Sequence, residues 1–290
     1  MMRIITIATI WGFICIVNQV KSITNYKEGG ENWTEGWCAV GKKQSPIDIP
    51  TSLGSFTVNS VRLVENQKLE LILTDSVMSQ VVVEDLITTY EVPFTDGFLA
   101  LWDENDYLDT YKLVQFHVHA PSEHTFDGRH YDLEIHFVHK HQTRDRLAVL
   151  SVPFDVEKGG NQANDFISSL KIGEKNVQNV TIPTMNLVKK LNKNKIFHYD
   201  GSLTTPPCNE TVEWIVVNDP QPISSAQVKV FNDRWMNNQT FANGHGNNRI
   251  VQSLNQRYIY MKQEVKSSLG ISCFSISMTF ILMGIFVMFY

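Results

Sequence analysis

Gln115-Phe116-His117-Val118-His119 and Glu134-Ile135-His136 are the stretches whose reading decides the fold. The runs from Leu113 to His119 and from Leu133 to Val138 are rich in β-branched and aromatic residues and read as strands. Side chains alternate faces along a strand, so His117 and His119 share one face. His136 joins them if its strand lies alongside. Three neutral imidazoles would leave a tetrahedral Zn2+ with an open position for water, which separates a catalytic site from a closed structural one. A lone His-x-His also suits surface or satisfied core histidines. Gln115 and Glu134 each precede a candidate ligand by two residues and share its face, where each can accept the ring's other N–H.

The chain ends point to the secretory route. Residues 1–22 read as a signal peptide, with Arg3 before the uncharged apolar stretch Ile4 to Val17 and a small-residue junction at Val20-Lys21-Ser22. A retained anchor is the alternative, although the stretch is short for a span. Residues 266–290 form a second apolar segment, uncharged from Leu269 to Tyr290, with Ser267, Ser268, Gly270 and Ser272 at its start. That pattern suits a GPI-attachment signal, and a transmembrane helix is the rival. No Lys or Arg follows the segment to hold a helix in place. Both readings put the folded part on the extracellular face of the membrane or in a lumen.

Between these ends, residues 23–265 form one domain without repeats or low-complexity linkers. The formal charge is −5 and there is no basic patch, so nucleic acid is not an expected partner. Only Cys38 and Cys208 remain in the body, either as one disulfide or as two buried thiols. A bridge would contribute up to about 5 kcal/mol in the chain-entropy model. Sequons begin at Asn32, Asn179, Asn209 and Asn238, which suits a glycoprotein. Further strands are expected at Val61–Val64, Lys68–Leu73, Gln80–Val83, Leu147–Phe154 and Thr211–Val217. Short helices are expected at Ala163–Leu170, Met185–Leu191 and Ser224–Arg234, the last opened by a capping serine. Asn192–Asn209 and Asn237–Asn255 read as long irregular stretches. The fold class is therefore mainly β (α+β): a large, mostly antiparallel sheet with short peripheral helices and the histidines on central strands.

Four segments in this order carry a resemblance. They are Gln44-Ser45-Pro46-Ile47-Asp48-Ile49, Gln115 to His119 continuing into Pro121-Ser122-Glu123-His124-Thr125, Glu134 to His139, and Tyr199-Asp200-Gly201-Ser202-Leu203-Thr204-Thr205-Pro206-Pro207-Cys208. Together they resemble the α-class carbonic anhydrases, from about Tyr26 to about Arg257. The resemblance implies a large twisted sheet and a zinc enzyme that interconverts CO2 and bicarbonate through zinc-bound hydroxide. It implies His117, His119 and His136 as ligands, oriented by Gln115 and Glu134, with the carbonyl of Asn247 behind His119. Thr204 would donate its proton to Glu123, and both would act in catalysis. Val138, Val149, Leu203, Val212 and Trp214 would form the CO2 pocket, with Thr205 beside the metal. Cys38 and Cys208 match the bridge of extracellular members.

One departure from the family pattern concerns proton removal. Fast members carry a shuttling histidine before the first ligand, and this chain has no histidine before His117. The corresponding position falls near Val77 or Met78, so no shuttle is identified. A modest turnover that rises with buffer concentration is expected. His124 and His139 are expected to be structural, and His130, His141, His198 and His245 to lie on surface or loops. The rival functions are an adhesion or recognition module of the same fold with weak or no catalysis, and an esterase. The intact ligands, Glu123 and Thr204 favour the anhydrase.

Overall fold

The computed structural model describes residues 24–51, 62–65, 70–73, 78–102, 108–174 and 179–262. The expected signal peptide and C-terminal tail lie outside these residues, as does Val77. The strands begin with β1 (Asp48–Ile49), β2 (Arg62–Glu65), β3 (Glu70–Leu73), β4 (Met78–Val81), β5 (Glu84–Asp85), β6 (Tyr90–Pro93), β7 (Phe98–Trp102) and β8 (Leu108–His119). They continue with β9 (Thr125–Phe126), β10 (Arg129–His130), β11 (Leu133–His141), β12 (Leu147–Phe154), β13 (Val180–Ile182), β14 (Ile196–Gly201), β15 (Val212–Val217) and β16 (Tyr258–Lys262). The helices are α1 (Asp165–Ser169), α2 (Thr184–Val188), α3 (Ser225–Arg234) and α4 (Gln239–Ala242). Among the described residues no helix is long and apolar enough to cross a membrane.

An eleven-stranded sheet dominates, ordered β2-β16-β14-β15-β12-β11-β8-β6-β5, with β7 also on β8 and β3 on β7. Its pairs are antiparallel except β12 with β15 and β16 with β2. The strands that carry the histidines, β8 and β11, are central. They pair so that His119 faces Glu134 and His117 faces His136. The register that brings the third histidine beside the first is thus set by β8 and β11 pairing directly.

Alternation sorts the two faces. On β11, Leu133, Ile135 and Phe137 enter the larger hydrophobic core, while Val138 enters a second, smaller cluster on the other face. On β15, Ile215 and Val217 join the larger core, and Val212, Trp214 and Val216 join the smaller. β8 breaks the rule once. Its register with β11 shifts between Val138, opposite Gln115, and His139, opposite Leu113, which leaves Val114 as the extra residue of a bulge. Tyr111 and Leu113 therefore face the same core as Phe116 and Val118. Beyond the bulge His117 and His119 are released to the opposite face.

Three helices lie where they were expected, with ends displaced by up to three residues, and α4 falls in the stretch Asn237–Asn255 read as irregular. Ser224 caps α3 in a full capping box with Gln227, and Asn164 caps α1. Nine of the sixteen described strands escape the composition reading: the short β1, β5, β9, β10 and β13, and the longer β6, β7, β14 and β16 of the main sheet. β14 lies inside the stretch read as irregular. Flanked by β15 and β16, it is buried along most of its length, so tertiary pairing rather than any alternating pattern of its own makes it a strand. This also corrects His198, which is buried within β14 (4% exposed) rather than on a surface or loop. Met78 is corrected too. It lies in the larger core, on β4 paired with β13, away from the face that carries the histidines.

Candidate metal centre

His117, His119 and His136 converge from β8 and β11. Their ring centroids are 5.0, 5.2 and 4.7 Å apart pairwise, and one ligand atom from each lies within 4.8 Å of the others. Behind each ring stands an acceptor. His117 Nδ1 is 2.9 Å from Gln115 Oε1, His119 Nδ1 is 2.8 Å from the Asn247 carbonyl, and His136 Nε2 is 2.7 Å from Glu134 Oε1. A carbonyl or carboxylate oxygen only accepts, so each of these nitrogens carries the ring hydrogen. Nε2 of His117 and His119 and Nδ1 of His136 are left with lone pairs turned toward one another. His119 Nε2 is buried and has no hydrogen-bond partner.

Electrostatics keep the three rings neutral. Burial lowers all three pKa values; that of His119 falls to about 4 even though the Asn247 carbonyl opposes the shift. His117 keeps some exposed surface, but the protein packed around it still desolvates the ring. Three neutral imidazoles with free lone pairs suit a divalent cation of borderline softness. A second grouping of His124, Glu134 and His136 is of a different kind. There Glu134 Oε1 takes hydrogens from His136, from His124 Nδ1 at 2.7 Å and from Ser151 Oγ at 2.5 Å, and Oε2 takes the His124 N–H at 2.9 Å. Its lone pairs are already occupied by the protein. Burial alone would raise the Glu134 pKa, but His124 and His136 outweigh burial and hold it well below the usual range.

Glu123 is fully buried beside the trio, with Oε2 3.6 Å from His119 Nε2 and 3.9 Å from His136 Nδ1. Its Oε1 accepts the Arg249 N–H at 2.8 Å. Burial pushes the carboxyl up to about 7, opposed by His136, the Thr204 side chain and the Arg249 N–H. Oε2 is buried without a hydrogen-bond partner among the described residues.

The Thr204 loop is tied down at several points. Leu203 N donates to Asn209 O, Cys208 N to Thr205 O and Trp37 N to Pro207 O. Ser202 N donates to Ser45 Oγ, and Trp214 Nε1 donates to Ser202 O. Cys38 and Cys208 form a disulfide, which excludes the free-thiol alternative. Val138, Val149, Val212 and Trp214 pack in one cluster with Leu203 against it, and Thr205 is half-buried. Asn32 and Asn179 are exposed. Asn209 is half-buried, and Asn238 caps α4 with its side-chain oxygen.

The composition reading missed Tyr199, Ser45 and Ser151. His124 Nε2 contacts Tyr199 Oη at 2.7 Å, and Tyr199 in turn donates to Ser45 Oγ at 3.1 Å. A tyrosine two residues into an apolar-aromatic run was the only local signal for this buried network.

A three-imidazole centre on one face of a large curled sheet, with every ring held from behind, has the donor set of a catalytic rather than a closed structural metal site. Residues 28–263 match the family of eukaryotic-type carbonic anhydrases. The chain is 30% identical to alpha carbonic anhydrase 7 of Arabidopsis thaliana over 83% of this chain and 85% of that protein. It is 31% identical to the carbonic anhydrase of Neisseria gonorrhoeae over 81% and 87%. The solved structure of carbonic anhydrase Cah3 from Chlamydomonas reinhardtii in complex with acetazolamide superposes with TM-score 0.62 at 31% identity, covering 80% of this chain and 95% of that one. The chain belongs to the eukaryotic-type carbonic anhydrase family and is an enzyme of that class.

Proposed function

We propose that the chain hydrates CO2 reversibly to bicarbonate and a proton at a Zn2+ held by His117, His119 and His136, outside the cell or in a lumen. The observation that carries this is the set of three mutually facing lone pairs, each fixed by an acceptor on the far side of its ring. Bound there, Zn2+ is a Lewis acid that brings the pKa of water toward neutrality, an effect for which carbonic anhydrase is itself the standard example. The protein's part is to keep three neutral donors in place and a dry wall beside them.

Gln115, Asn247 and Glu134 fix the ring tautomers, so no donor nitrogen need lose a proton on metal binding at neutral pH. Glu123, when ionised, accepts the Thr204 hydroxyl hydrogen. A hydroxyl has one hydrogen to give, so the Thr204 oxygen then offers only lone pairs to the cleft and accepts from the attacking water. That hydrogen bond turns the water's own lone pair toward carbon. CO2 is apolar, and Val138, Val149, Leu203, Val212 and Trp214 offer it a surface without competing donors, with Thr205 at the rim.

The Cys38–Cys208 bridge supports an oxidising compartment. In this reading residues 1–22 are removed as a leader, the exposed Asn32 and Asn179 are the sequons used, and the C-terminal tail is exchanged for a GPI lipid. Stopped-flow CO2 hydration, with and without a zinc chelator and with metal content measured in parallel, tests the activity. A protein with one equivalent of zinc and no hydration activity sinks the reading. Release from cells by phosphatidylinositol-specific phospholipase C tests the anchor, and retention would favour the helix.

A further inference from the structure

β6 lies beside the strand that carries two of the histidines, and its register sets Glu91 opposite His117. The next residue, Val92, pairs with Phe116, and both lie in the larger core. Alternation sends Glu91 to the other face, that of His117. Glu91 is half-buried there. One strand farther out, the exposed Glu84 stands opposite Glu91. A row of register partners therefore runs Glu84, Glu91, His117, His136 from the sheet edge to the metal centre. Directly opposite residues keep their Cβ atoms about 5 Å apart, and neighbouring strands lie about 4.8 Å apart.

We propose that Glu91 is a specificity-determining residue of the centre: its carboxylate disfavours anions at the point the three imidazoles face and leaves neutral ligands unaffected. This rests on the metal-centre reading and extends it. A negative charge about 8–10 Å from that point opposes another through a partly solvated cleft, which weakens a monoanion on the order of fivefold. Product bicarbonate would leave more readily for the same reason. Neutral proton acceptors from solution, which become cations once protonated, would be preferred to anionic ones.

The test uses the full chain with Co2+ in place of zinc, because the visible spectrum of Co2+ in a three-histidine site reports the added ligand directly. Thiocyanate and neutral imidazole are titrated at pH 8 into wild type, Glu91→Gln, Glu91→Asp and Glu84→Gln. Glu91→Gln is expected to tighten thiocyanate on the order of fivefold and leave imidazole unchanged. Glu91→Asp keeps the wild-type value, and Glu84→Gln, a strand farther away, shows a smaller effect. Thiocyanate affinity within twofold of wild type in Glu91→Gln overturns the proposal. So does an equal shift for imidazole, which would mark a structural effect. Either result with the tetrahedral spectrum intact leaves the metal-centre reading standing. A wild-type protein that gives no such spectrum takes both down.

Discussion

Replacing Glu134 with glutamine tests whether the histidines are held from behind in the way the register implies. Glu134 takes four hydrogens: from His136, His124 and Ser151 on Oε1 and from the His124 backbone on Oε2. Glutamine offers one oxygen. With that oxygen in the Oε1 position, three contacts keep an acceptor but lose charge assistance, at about 1 kcal/mol each. The amide NH2 then faces the His124 N–H, donor against donor, and a buried unsatisfied group costs about 1–3 kcal/mol. Relief from burying a charge offsets part of this. The net loss is expected to be about 3–5 kcal/mol. Denaturant unfolding of the metal-free protein measures it. Zinc affinity, read by competition with a chromophoric chelator, is expected to fall about 10–100-fold, because His136 loses its charged anchor. A variant that unfolds at the wild-type denaturant concentration and binds zinc within threefold of wild type would refute the claim that Glu134 orients His136.

Other outcomes follow from the same structure. Removing the Cys38–Cys208 bridge, which spans a sequence separation of 170, is expected to cost up to about 5 kcal/mol, measured as a loss of melting temperature in the Cys38→Ala/Cys208→Ala variant. His139 is buried and its pKa falls to about 4, chiefly through burial. A base with a depressed folded pKa stabilises the fold above its unfolded value near 6.5, and that contribution disappears as pH falls toward 4. Stability of His139→Asn measured between pH 7.5 and 4.5 should therefore decline less than that of wild type; equal declines would count against a neutral buried ring. Val138→Tyr overfills the cluster proposed as the CO2 pocket, so kcat/KM for CO2 hydration should drop on the order of tenfold or more, with about 1–3 kcal/mol of destabilisation from overpacking. Turnover at low buffer should be modest and rise when imidazole is added, since no histidine precedes His117; a rate indifferent to imidazole would show an internal proton route.

Much of the centre was legible because its parts are local. Two-residue spacing puts His117 and His119 on one face and sets Gln115 and Glu134 with their histidines, whatever surrounds them. The capping serine of α3 was legible for the same reason: its bonds reach only three residues along the chain. β14 was not, because its buried setting comes from the flanking β15 and β16 rather than from its own composition.

The amino-acid sequence alone determined the donor set and the face each donor occupies, since strand periodicity is a property of the backbone. Tertiary structure decided which histidines meet. The direct pairing of β8 with β11 brings His136 to His117, and the bulge at Val114 lets Leu113 face the larger core while His117 faces the site. It also decided what stands beside them. Glu91 is far from His117 along the chain and adjacent to it only through a strand register, and register depends on long-range packing that no short stretch of sequence contains.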